Sequence, residues 1–78
     1  MENGLDVGKA MKKLRDIQGK SQTQMAASTG LAQTYISKIE NGHIKHPKIE
    51  TISKIAEFFA MYVSDFIRVA EEESRSNG

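Results

Sequence analysis

The sequence of 78 residues has no cysteine, which excludes a disulfide framework and a thiolate metal site. It has no glycine-rich phosphate loop, and its serines, histidines and acids fall into no nucleophile motif. A chain this short also leaves little room for a water-excluding pocket beside a core, so catalysis is the function it supports least. His43 and His46 sit close together, but no carboxylate cluster stands near them and the metal-ligand count is short. Neither metal nor cofactor is expected. The opening MENGLDVGKAM carries no basic segment followed by an apolar run, so no leader and no membrane partner is expected and the location is read as cytoplasmic.

Charge of one sign is scarce overall, since the formal net charge is only +1. Its distribution carries more information. Residues 9–54 hold nine Lys/Arg (Lys9, Lys12, Lys13, Arg15, Lys20, Lys38, Lys45, Lys48, Lys54) against Asp16, Glu40 and Glu50, a balance of +6, whereas residues 55–78 carry −3 and residues 1–8 carry −2. Such asymmetry favours phosphate attraction on one side of a small domain, although like-charge blocks also occur as plain solvated faces.

The positive stretch encloses SQTQMAASTGLAQTYISKIENG, residues 21–42. Ser21 is an N-cap type with Gln24 three positions on, the spacing of a capping box. Met25 and Ala26 form the apolar side of a short helix, and Gly30 stands where a chain leaving a helix takes a positive φ. Leu31 plugs the turn. From Gln33 to Asn41 helical spacing returns, with Ile36 and Ile39 on one side and Gln33, Thr34, Ser37 and Lys38 on the other. That outer face is made of amides, hydroxyls and one lysine, groups suited to hydrogen bonding with base edges. Two helices joined by so short a turn fit a helix-turn-helix; on pattern alone, an αα-hairpin with a polar face fits as well.

The flanks supply the scaffold. Asp6 can cap a first helix running to Gln18 and ended by Gly19, with Val7, Ala10, Met11, Leu14 and Ile17 on its inner face. Pro47 fits the first turn of a fourth helix, whose stripe is Ile49, Ile52, Ile55, Ala56 and Phe59, with Ile44 tucked under the preceding loop. Phe58, adjacent to Phe59, must point off that stripe. A last helix, served at its amino end by Ser64 or Asp65, runs through Phe66, Ile67 and Ala70. Tyr62, Val63, Phe66, Ile67 and Val69 exceed what a short terminal helix buries on its own domain, which predicts a shared surface. The fold class is all-α, a compact bundle of four to five helices. Residues 1–5 are expected to be disordered, 6–70 to form the domain, with 21–42 as the reading unit and 58–70 as the contact region, and 71–78 to form an acidic flexible tail.

Through Leu14-Arg15, Gly19, Ser21-Gln22, Met25-Ala26, Gly30-Leu31, the run Tyr35 to Gly42, Pro47 and Ile49 to Ile52, the chain resembles the helix-turn-helix family of phage repressors and Cro-like (XRE-like) regulators. The match spans about residues 7 to 67, far more than a short motif. The resemblance implies a sequence-specific regulator of transcription, a repressor or autoregulatory controller, that binds double-stranded DNA as a homodimer on a pseudo-palindromic operator. It implies a salt bridge between Arg15 and Glu40, base reading by Gln33, Thr34 and Lys38, and backbone contacts by Gln22, Tyr35, Asn41, His43 and Lys45, with Gln22 also bracing Gln33. It places the dimer contact at Tyr62, Val63, Phe66, Ile67 and Val69. The same fold also serves antitoxins and anti-repressors that act through a small protein partner. Lys20, Phe58, Ala60 and Tyr62 depart from the family pattern, which has an apolar residue, a small residue, Gly and a capping Ser there. The lysine is expected to lay its stem over the core with its ammonium in solvent near the DNA backbone.

Overall fold

A computed structural model describes residues 5–76, and those residues form five helices: α1 Val7–Gln18, α2 Gln22–Thr29, α3 Gln33–Glu40, α4 Ile49–Phe58 and α5 Val63–Ser76. Of the expected frayed ends, residues 1–4, Asn77 and Gly78 lie outside the described residues. Each boundary has a local cause. Asp6 accepts the Lys9 amide at 3.0 Å, and Gly19 takes φ 67° so that its N–H and that of Lys20 return to the last carbonyls of α1. Ser21 and Gln24 form the reciprocal capping box, at 3.0 and 2.8 Å.

α1 packs on α3 and α5, α2 on α3 and α4, and α4 on α5. The centre is filled by Met11, Met25, Ile36, Ile39, Ile55, Phe59 and Phe66, each essentially without exposed surface. α4 is the axle, because Ile52, Ile55 and Ala56 all face inward from it. α3 contributes Ile36 and Ile39 as its fully buried residues, with Tyr35 half-buried beside them, and leaves Gln33, Thr34 and Lys38 exposed.

The structure departs from the sequence reading at both ends. Leu5, assigned to a disordered terminus, is half-buried against the core. α5 continues six residues past Ala70, through the stretch read as an acidic flexible tail. The spacing Phe66, Ala70, Glu73 keeps one side of the helix on the domain, and Lys13 of α1 neutralises Glu73 at 2.9 Å while Glu71 and Glu72 remain in water. Phe66 is therefore core and not interface.

Smaller corrections concern helix ends. Ile17 is 69 % exposed and Ile49 is 61 % exposed. Gln18, seven residues beyond Met11 and so in line with it, stays exposed but reaches across to donate its amide to the Phe59 carbonyl at 3.3 Å. Pro47 is buried two positions before α4 begins, with Lys48 at the N-cap. Phe58 is half-buried and meets Phe59 edge-on at 5.1 Å. Lys20 sets its ammonium 5.0 Å from the centre of the Phe58 ring instead of extending it freely into solvent.

Candidate nucleic-acid interface

The α2–turn–α3 unit is tied by hydrogen bonds at its bend. Thr29 donates its hydroxyl to the Met25 carbonyl at 2.7 Å and accepts the Leu31 amide at 3.1 Å, and Gly30 between them adopts φ 78°. Leu31 is half-buried against the core. Ala32 opens α3 with no side-chain cap, leaving the first-turn amides of the helix without a side-chain acceptor.

Gln33, Thr34 and Lys38 are all exposed on α3, together with Asn41 at its end. No acid accompanies them, because Glu40 is turned inward. Its carboxylate receives Arg15 Nε at 2.7 Å and Nη2 at 2.8 Å, a two-pronged pair whose side chains are only 13 % and 4 % exposed. Arg15 spends its remaining terminal nitrogen on the Lys20 carbonyl at 3.0 Å. The hydrogen bonds to Glu40, ahead of simple charge attraction, hold the Arg15 guanidinium's pKa above its ordinary value.

The structure gives Gln22 a different partner from the expected one. Its Nε2 donates to Glu40 Oε1 at 3.0 Å, and Thr23 is the residue whose hydroxyl reaches Gln33, at 3.5 Å. The acceptor Glu40 fixes which way the Gln22 amide faces and leaves its second N–H for another acceptor. Tyr35 is half-buried, and its hydroxyl pairs with Thr51 of α4 at 3.3 Å, making it a strut between α3 and α4. Asn41 Nδ2 donates to Ser37 at 3.3 Å.

Beyond α3 the chain folds back, with the amides of His43 and Ile44 both on the Lys38 carbonyl at 2.9 and 3.2 Å. His43, Lys45, His46 and Lys48 of this loop are all exposed. Among the described residues no three of His, Asp and Glu gather as metal ligands. On the opposite end, Tyr62 is 80 % exposed, while Val63, Ile67 and Val69 are half-buried against the core. Sequence reading passed over Thr29, whose signal is a hydroxyl residue directly before a turn glycine. It also passed over Gly8, an unexplained glycine in the first turn of an otherwise good helix.

Residues 11–66, which hold the α2–turn–α3 unit and its polar outer face, match the helix-turn-helix family model. The chain belongs to that family. Helix-turn-helix proteins of this phage-repressor, XRE-like type are DNA-binding regulators, a fold that is not an enzyme class. The chain is 32 % identical over 71 residues to the HTH-type transcriptional regulator PuuR of Escherichia coli K12, a span covering 91 % of this chain and 38 % of PuuR. It is 39 % identical over 56 residues to the ImmF control region 10 kDa protein of Bacillus phage phi105, covering 72 % of this chain and 61 % of that one. The chain therefore spans less than two thirds of the length of either relative. The structure of SinR, the master regulator for biofilm formation, in complex with DNA superposes with a TM-score of 0.72 at 27 % identity, covering 77 % of this chain and 95 % of the SinR chain in that structure. Among the described residues no helix is long and apolar enough to cross a membrane.

Proposed function

We propose that this helix-turn-helix chain is a sequence-specific double-stranded DNA-binding regulator of transcription, a repressor or autoregulatory controller, acting as a homodimer on a pseudo-palindromic operator. The observation that carries the reading is the exposed row Gln33, Thr34 and Lys38 on a helix whose other side is held by the buried Arg15–Glu40 pair. A recognition helix needs exposed donors and acceptors on a rigid backbone, and burying the one acid of α3 removes the charge that repels phosphate. SinR, of the same fold, has been solved with DNA.

In this proposal α3 enters the major groove. Gln33 pairs with adenine N6/N7 and Lys38 with guanine, while Thr34 contacts an adjacent base edge. The free N–H of Gln22, together with Asn41, His43 and Lys45, binds phosphates on either side and sets the register. Tyr35, with its hydroxyl on Thr51, contributes less directly, by fixing α3 against α4. A second copy meets the first through Tyr62 and the outer edges of Val63, Ile67 and Val69, without Phe66. Tyr62 stands at an open groove of about 510 Å³ that Ser53, Glu57, Met61 and Asp65 also line.

Selection of bound duplexes from a random pool tests the reading. A two-fold repeat with half-sites about 34 Å apart, bound by two copies in sedimentation, is expected. Absence of any enriched sequence overturns it.

A further inference from the structure

Gly8 is buried in the first turn of α1, where glycine weakens a helix relative to alanine. Its backbone is ordinary helix with no positive φ, so conformational freedom does not account for it. Space does. A Cβ placed on Gly8 lies 2.2 Å from the Ile39 carbonyl oxygen and 3.0 Å from both Ile39 C and Glu40 Cα. All three atoms are backbone of the last turn of α3, and none can rotate away.

From this geometry we infer that Gly8 is a positioning residue that sets how far the reading helix stands from the scaffold, an inference resting on the DNA-reading role of α3 proposed above. α1 grips the end of α3 at two points, the Gly8 backbone against Ile39 and Glu40, and Arg15 on the Glu40 carboxylate. A methyl at position 8 requires the two helices to separate by at least about 1.2 Å before its carbon and the Ile39 oxygen reach ordinary contact. α3 is the member that gives way. α1 is fixed to α5 through the Asp6 amide on the Ala70 carbonyl at 3.0 Å, through Lys13–Glu73 and through buried Val7, Ala10 and Met11. α3 has eight residues with two buried apolar side chains, and its ties to α2 and α4 run through the side chains Gln22–Glu40 and Tyr35–Thr51, which can follow a shift of this size. Hydrogen bonds to base edges tolerate about 0.5 Å, so a shift of this size moves Gln33, Thr34 and Lys38 out of register with the phosphate contacts of the loop.

The test compares Gly8→Ala with the unaltered chain in two measurements. A crystal structure of the variant is expected to show α3 displaced by at least about 1.2 Å relative to α2, α4 and α5, with α1 in place. Titration then uses the duplex enriched by the unaltered chain and a scrambled duplex of equal length, at a temperature where the variant is folded. Affinity for the enriched duplex is expected to fall about ten- to a hundredfold, while affinity for the scrambled one stays within about twofold. Ile55→Val, a core truncation on α4 that lowers stability and leaves the Gly8–Ile39 contact as it is, leaves the ratio unchanged. Where Gly8→Ala alone is unfolded, the same measurements are made on Gly8→Ala/Ala60→Gly, stabilised at the α4–α5 turn. A structure in which α1 swings away and α3 keeps its place overturns the inference, as does an intact ratio. An unaltered chain that does not distinguish the two duplexes refutes the DNA-reading proposal instead, and the crystal structure then decides the positioning claim alone.

Discussion

Replacing Arg15 by alanine removes three hydrogen bonds at once: two to the Glu40 carboxylate and one to the Lys20 carbonyl. Glu40, whose side chain is 4 % exposed, keeps the Gln22 amide on Oε1 and loses the donor on Oε2. Stranding one partner of a buried pair costs about 3–5 kcal/mol. A chain of this length has a total stability of about 4–12 kcal/mol, at roughly 0.05–0.15 kcal/mol per residue. The melting temperature should therefore fall by about 12–40 °C, at 4–8 °C per kcal/mol for a domain this small. Arg15→Met/Glu40→Met removes both charges and should recover most of that loss, because paired removal of a buried bridge is often close to neutral. Circular dichroism melts of the two variants measure this. A single variant melting within about 3 °C of the unaltered chain, or a double variant no better than the single one, refutes the reasoning.

Ala60, at the turn between α4 and α5, has φ 58° and an exposed side chain, and an L-residue in that region carries about 1–2 kcal/mol of strain. Ala60→Gly relieves it at an entropic cost of about 0.5–1 kcal/mol, so thermal melting should rise by a few degrees; a lower melting temperature contradicts the strain. Lys13 is raised above its ordinary 10.5, first by its hydrogen bond to Glu73 and then by the charge of that carboxylate. A lysine whose pKa is raised by folding stabilises fully below 10.5 and loses that contribution as pH climbs through the higher folded value. The melting difference between the unaltered chain and Lys13→Met should accordingly be constant from neutral pH to about 10 and vanish in stronger alkali. A difference that grows with pH contradicts the sign.

Features governed by neighbours in sequence were legible without a structure. Asp6, the Ser21/Gln24 box, Gly19 and Gly30 act within four residues of themselves, and each marks the helix end where it was expected. The outward row on α3 follows from helical spacing alone. The pairing of Arg15 with Glu40, 25 positions apart, came from family resemblance, because no periodicity links α1 to the end of α3. What depended on packing between helices was misread. The acidic run at 71–73 reads as solvent-facing until Lys13 is seen opposite Glu73. Phe66 was counted as surplus apolar surface because its inward partners belong to other helices. Gly8 gave no signal, since what it accommodates is the backbone of a helix 31 positions away. Ile17 and Ile49 lie on apolar stripes whose ends are not covered by a neighbour.

The central claim is that side chains of α3 read base edges, and Gln33 tests it most directly. Gln33→Ala is titrated against the selected duplex and against a set in which each base pair is replaced in turn. The account predicts a loss of about 1–3 kcal/mol on the selected duplex and loss of discrimination at a single position of each half-site, with the others unchanged. Uniform weakening on every duplex, with the base preferences intact, contradicts it and assigns Gln33 to the phosphate backbone.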